Sequence, residues 1–137
     1  MPRYTKESKM AHYHACVWLD HREAKIFGIT GDEADETDVH DHDSPRHIHR
    51  KADHIGQGKL GPSDAFFAEI AEALKPYRAI LIVGPGTARN EFAGYLVEHQ
   101  SRIRSRVWGI EAMDHPTRGE LIAAARKYFH AADRMHG

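Results

Sequence analysis

The chain has 137 residues, of which 41% are hydrophobic and 28% are charged, values that suit one globular domain and exclude whole-chain disorder. Its formal net charge of −1 at pH 7 excludes a uniformly basic nucleic-acid-binding protein but allows a local basic patch. The single cysteine, Cys16, excludes an intrachain disulfide and indicates a reducing compartment, so we expect a cytoplasmic protein. No apolar run approaches the about 18 residues that span a bilayer, so no membrane partner is expected.

The first strands are predicted as an antiparallel meander. Residues 12–19 and 24–29 are rich in strand-forming side chains and flank a polar turn at Asp20–Glu23, which predicts a hairpin. A third strand is expected near Glu36–His42, inside residues 30–43, which hold seven carboxylates. Such charge is typical of an edge strand, because it discourages pairing with a further strand.

Two stretches of the chain predict no regular structure. Residues 44–61 lack an apolar period and contain proline and several glycines, so we expect a long, exposed, mobile loop. Residues 1–10 are polar and are expected to form a flexible tail, whereas residues 11–137 are expected to form a single domain.

The second half of the chain alternates helix and strand. The pattern predicts a helix over 63–75 capped by Ser63, a buried strand at 79–83, a helix from Thr87 to His99 and a strand over Arg106–Met113. Thr117 and Glu120 fit a capping box that opens a last helix. The element order predicts an α/β fold: a ribonuclease-H-like, three-layer domain with a mixed sheet of about five strands, the first three antiparallel, and helices packed on it.

The basic loop at residues 46–59 is a candidate for binding nucleic acid. The alternative is an ordinary mobile loop whose glycines only serve turns. Lysine and arginine contact phosphates, histidine stacks on bases, and glycine lets a backbone approach a ligand closely. Three arginines after the second helix are a further candidate for binding phosphate. They alternate along the sequence, so an extended segment would place all three side chains on one side. The alternative is a solvated connector. The predicted nucleic-acid-binding residues are Arg46, His47, His49, Arg50, Lys51, Lys59, Arg102, Arg104 and Arg106.

The 12 histidines raise the alternative of a metal site. Two pairs have His-x-His spacing, which on a strand places both imidazoles on one face, and imidazole suits zinc, copper and nickel. A solvated polar loop is the competing interpretation. No cofactor is expected beyond zinc or nickel held by this cluster, whose members are His40, His42, His47, His49 and His54.

Three other residues have simpler structural interpretations. Asp20 and Asp114 each follow a predicted strand, and carboxylates so placed can form a two-metal nuclease site, but roles as turn or capping residues are favoured. Cys16 lies within an apolar strand and is expected to be a small core residue.

Four stretches of the chain carry a resemblance to a known family: Val17–Phe27, His47–Lys51, Ala79–Gly86 and Asp114–Pro116. They resemble the bacterial relatives of archaeo-eukaryotic peptide release factors, in the subgroup usually labelled "translational machinery protein". The resemblance runs from about His12 to Met135. It implies the central domain of class I release factors and of Pelota, which has a ribonuclease-H-like fold.

The resemblance also implies a function. In release factors this domain carries a Gly-Gly-Gln loop that promotes hydrolysis of peptidyl-tRNA, and here Gly56 and Gln57 match its last two positions while Ile55 stands at the first. Pelota's equivalent domain lacks the motif and does not hydrolyse. We therefore expect a release-factor-like, translation-associated protein that binds ribosomal RNA or tRNA on the ribosome, without catalysis; self-association stays open and no DNA partner is expected. The alternatives are an ester hydrolase that uses Gly56 and Gln57, and a histidine-rich metal-binding protein.

Overall fold

The computed structural model describes residues 13–30, 33–42 and 63–136. In this part of the chain, five strands form one sheet and four helices pack on it or connect its strands. The strands are β1 (His14–Leu19), β2 (Glu23–Ile29), β3 (Ala34–His40), β4 (Ala79–Gly84) and β5 (Val107–Ala112), and the helices are α1 (Asp64–Leu74), α2 (Ala88–His99), α3 (Ser101–Arg104) and α4 (Arg118–His136).

The sheet is mixed, with the spatial order β3-β2-β1-β4-β5. Strands β1, β2 and β3 pair antiparallel, whereas β4 pairs parallel with both β1 and β5. Val17, in the middle of β1, lies opposite Ile26 of β2 and Ile82 of β4. The predicted α/β class and the antiparallel start of the sheet are confirmed.

Side-chain alternation along β1 and β4 produces three layers. On β1, Val17 and Leu19 face the core that α1 and α2 cover, while Cys16 and Trp18 face the core that α4 covers. On β4, Ile80 belongs to the first core and the strand is buried along its whole length. A strand buried on both faces requires a continuous apolar run, which explains the sequence of β4.

Helix ends follow the capping signals of the sequence. The Ser63 hydroxyl accepts a hydrogen bond from the backbone N–H of Phe66 (3.1 Å) at the start of α1. At α4, the Thr117 N–H donates to the Glu120 carboxylate (2.9 Å) and the Glu120 N–H donates to the Thr117 hydroxyl (3.1 Å), which is the predicted capping box. None of the helices in the described ranges is long and apolar enough to cross a membrane.

Two local predictions differ from the structure. The third strand is Ala34–His40 and ends before Asp41, because the Asp41 side chain is buried and bonds to Ser63 instead of continuing the strand. The prediction of an extended segment at 101–106 is wrong. Ser101–Arg104 forms a helical turn, because Ile103 is buried in the core under α2. The predictions of a mobile tail over 1–10 and a mobile loop over 44–61 concern residues outside the described part of the chain.

Substitution of Gly84 tests how closely the end of β4 packs against the end of β1. Its φ of 154° disfavours other residues, and a Cβ there would collide with the Leu19 carbonyl oxygen. We expect Gly84→Ala to lower the free energy of unfolding by about 2–4 kcal/mol in urea titrations. Gly94→Ala is the control, because a Cβ at this exposed helical position meets nothing within 4 Å, and it should raise stability by up to about 1 kcal/mol. Equal effects of the two substitutions would contradict this packing.

Cys16 provides a second test, of the core beneath α4. Burial, with a smaller effect of the Glu111 carboxylate, raises the pKa of its thiol from 9.0 to about 12. As pH rises, the thiol therefore loses its proton at a lower pH in the unfolded chain than in the folded one. Between about pH 9 and 12, this difference lowers the free energy of unfolding by up to about 1.4 kcal/mol per pH unit. Urea titrations from pH 8 to 11 should show a shallower decline for Cys16→Ala than for the wild type. Parallel declines would contradict a buried, protonated thiol.

Candidate nucleic-acid interface

The residues that flank the basic segment, residues 43–62, are bonded to each other. The Asp41 carboxylate accepts two hydrogen bonds from Ser63, one from the backbone N–H (3.0 Å) and one from the hydroxyl (2.9 Å). The Asp41 N–H donates to the Arg22 carbonyl (2.8 Å), which fixes this point to the β1–β2 turn. Asp41 is only 5% exposed, so its buried carboxyl oxygens depend on these donors for their hydrogen bonds. We call this contact the Asp41–Ser63 clasp.

The clasp lies at one end of the sheet, the clasp end, where one terminus of each of the five strands lies. Strands β1, β3, β4 and β5 have their carboxyl ends here, and β2 begins here because it runs antiparallel to β1 and β3. In open α/β sheets, ligands bind outside the carboxyl ends of the parallel strands. The clasp end is therefore the part of the described fold best placed to present a binding segment.

The turns at the clasp end are internally bonded. The Asp20 carboxylate accepts from the N–H groups of Arg22 (2.8 Å) and Glu23 (3.0 Å), and the Asp114 carbonyl accepts from the Trp18 indole (2.8 Å). Asp20 therefore has the turn role that the sequence favoured, whereas the contact of Asp114 with Trp18 is made by its backbone carbonyl. Among the described residues, no three metal-ligating side chains come together, so a carboxylate site of the nuclease type does not form there.

The polar groups of the turn between β4 and α2 also make hydrogen bonds with nearby residues of the protein. The Arg89 guanidinium donates to the carbonyls of Gly84 (3.0 Å) and Gly86, so this cation is used to hold the turn. The Thr87 hydroxyl donates to Glu91 (3.1 Å) and lies 3.4 Å from the His21 ring. This bonding fits a tight structural turn better than a phosphate-binding loop.

A cleft of about 230 Å³ opens on the α4 side of the sheet. Its floor includes the buried rings of Trp18 and Phe27. Arg118 lies over the Phe27 ring (5.7 Å to the centroid) and bonds Glu36 (3.1 Å), while the His115 ring packs on Trp18 at 5.2 Å. Opposite charges line the cleft in equal number, from Glu23, Lys25, Glu36 and Arg118, so it does not favour an anion such as phosphate.

The structure describes three of the predicted basic residues, and they lie away from the clasp. Arg102, Arg104 and Arg106 precede β5 and so lie at the end of the sheet away from the clasp, about 20 Å off for strands of this length. Arg106 donates to the carbonyls of Lys75 (2.9 Å) and Tyr77 (3.0 Å), which caps the end of α1. Arg104 is half-buried, and only Arg102 is exposed.

The described histidines of the predicted metal cluster are His40 and His42. His40 ends β3 and lies 3.9 Å from the Glu23 carboxylate, and His42 is exposed beyond the strand. No third ligand joins them within the described ranges. The other predicted site residues lie outside those ranges: Arg46, His47, His49, Arg50, Lys51, His54, Gly56, Gln57 and Lys59.

Sequence reasoning missed the Asp41–Ser63 clasp. In the sequence, Asp41 is one carboxylate in an acidic run, and the pattern around Ser63 predicts only a helix cap. A signal was present, since a serine cap that follows a long polar insertion can also close that insertion onto an acidic partner.

The clasp predicts unequal effects of two neighbouring aspartates. Asp41→Ala removes the acceptor for both Ser63 donors and should lower the free energy of unfolding by about 1–3 kcal/mol. Asp38→Ala is the control, because Asp38 is exposed on the same strand, and its effect should stay within about 0.5 kcal/mol. A double-mutant cycle with Ser63→Ala should give a coupling of at least about 0.5 kcal/mol. Additive effects would contradict the clasp.

Comparison with known proteins finds solved structures with a similar fold. No protein-family model matches the sequence, and a search of curated proteins finds no match. The structure is similar to Pelota from Archaeoglobus fulgidus (TM-score 0.60, 14% identity), over 92% of this chain and 34% of that one. It is also similar to Pelota from Thermoplasma acidophilum (0.52, 28%), over 85% of this chain and 33% of that one.

A third similar structure is the archaeal translation termination factor aRF1 (TM-score 0.53, 16% identity), which is matched over 90% of this chain and 39% of its own. The chain thus spans between a third and two fifths of the length of these proteins. The resemblance read from the sequence is confirmed for the fold: the chain has the mixed five-stranded α/β fold that these release-factor-like proteins share with it.

Proposed function

We propose that this chain is a cytoplasmic, release-factor-like protein associated with translation, and that it binds ribosomal RNA or tRNA through its basic segment. Two of its structural relatives are Pelota proteins and a third is a translation termination factor. Because the chain spans a minor part of each relative, their whole activities are not transferred to it. The binding function is instead argued from this chain's own charges.

The observation that carries the proposal is where positive charge is concentrated. Residues 43–62 hold four basic and two acidic side chains, together with three histidines, whereas the whole chain has a net charge of −1. The remainder of the chain is therefore acidic, and the clasp tethers both ends of the basic segment to the clasp end of the sheet. A tethered basic segment on an acidic domain directs phosphate contacts to one place.

The proposal predicts a specific salt dependence of ribosome binding. Contacts of Arg46, Arg50, Lys51 and Lys59 with phosphates would give log affinity a slope of about −3 to −4 against log salt. Arg50→Ala combined with Lys51→Ala should reduce that slope by about 1.4–1.8. Co-sedimentation of the purified chain with ribosomes over a range of salt concentrations measures the slope.

The matched control removes two other positive charges, through Arg78→Ala combined with Lys127→Ala. Both side chains are exposed. Arg78 directly precedes β4, and Lys127 lies on α4 two residues before Phe129, whose ring packs on His14 at the start of β1, so both lie toward the end of the sheet away from the clasp. The control should retain the wild-type slope. Equal losses in the two double variants would show a nonspecific charge effect, and an unchanged slope in the Arg50 and Lys51 variant would remove the basic segment from the interface.

A further inference from the structure

The two edges of the sheet have opposite chemical character. Edge strand β3 carries Asp35, Glu36 and Asp38, all exposed, and such charge discourages a further strand from pairing. The first four residues of the other edge strand, β5, are Val-Trp-Gly-Ile and carry no charge. These four residues are half-buried, so their apolar surface is only partly covered by the rest of the described fold. Among the described residues, charge of this kind protects the β3 edge against pairing and is missing from the first four residues of β5.

After an irregularity near its start, β5 has a regular backbone whose outer edge faces away from β4. The register shifts near Trp108, and from Gly109 onwards the strand pairs residue by residue with β4. Met113 donates to the Gly84 carbonyl, so by alternation the N–H and C=O groups of Ile110 and Ala112 point away from β4. In the described ranges, no backbone hydrogen bond joins β5 to any strand other than β4.

The charges at the two ends of β5 are opposite in sign. Arg104 and Arg106 precede the strand, whereas Glu111 and Asp114 lie at its carboxyl end or just beyond. A second strand of the same sequence running antiparallel would set the positive end of each copy against the negative end of the other. A parallel copy would place like charges together, which is unfavourable.

We propose that β5 pairs antiparallel with β5 of a second copy of this chain, around a two-fold axis near Ile110. In that register the N–H and C=O groups of the two Ile110 residues bond each other. Arg106 of one copy, whose guanidinium caps α1, lies level with Asp114 of the second copy as a nearby positive charge and not as a direct partner. Ile110 packs at the margin of the core under α1 and α2, so contact between the two copies extends that core across the axis. The interface is self-complementary, as two-fold symmetry requires.

The test is the association state of the full chain in solution. One strand pair is a small interface, so we expect a reversible dimer that dissociates on dilution through the micromolar range. Ile110→Lys places two like charges on the axis and should raise the dissociation constant at least tenfold in sedimentation velocity. Thr37→Lys is the matched control: it adds the same charge at an exposed position of the opposite edge and should leave the dissociation constant unchanged.

Ala112→Pro keeps the test valid if Ile110→Lys fails to fold. Ala112 is exposed and its N–H points away from β4, so proline removes a donor to the second copy and none to β4. A weaker dimer in this variant, with an unchanged circular dichroism spectrum, supports the proposal. A wild-type chain that stays monomeric up to millimolar concentration, or a dimer weakened only by Thr37→Lys, overturns it.

Discussion

Burial of β1 on all sides is the constraint on which the rest of the structure depends. The strand pairs with β2 on one edge and β4 on the other, and its alternate side chains enter two separate cores. A strand in this position tolerates no charge between Ala15 and Leu19, all of which are buried. Helices must then cover both faces, so the three layers follow from this one strand.

The clasp end of the sheet follows from the same arrangement. Because β1, β4 and β5 are parallel, their carboxyl ends meet at one edge of the layer, and the connections leaving them gather there. Most of these connections are short turns whose polar groups bond within the turn. The basic segment is a long connection at this end, and its attachment depends on one buried carboxylate. The fold therefore supplies a rigid base for a charged insertion.

The sequence predicts those features whose causes are local. The apolar run of β4, the Ser63 cap and the capping box of Thr117 and Glu120 each depend on residues within four positions of one another. The clasp was not predictable in this way, because Asp41 and Ser63 are 22 residues apart. The prediction for the arginines before β5 was wrong for a related reason. Their alternation indicates an extended segment, but the burial of Ile103 in the core favours a helical turn.

The Asp41–Ser63 clasp also separates the length of the basic segment from the stability of the domain. Since the two residues at its base are bonded to each other, the geometry of the sheet and α1 does not depend on the number of residues between them. Doubling such an insertion adds only about 0.6 kcal/mol of closure entropy. Sequences on this scaffold can therefore lengthen, shorten or exchange the segment freely, and its recognition properties can diverge while the domain that carries it stays the same.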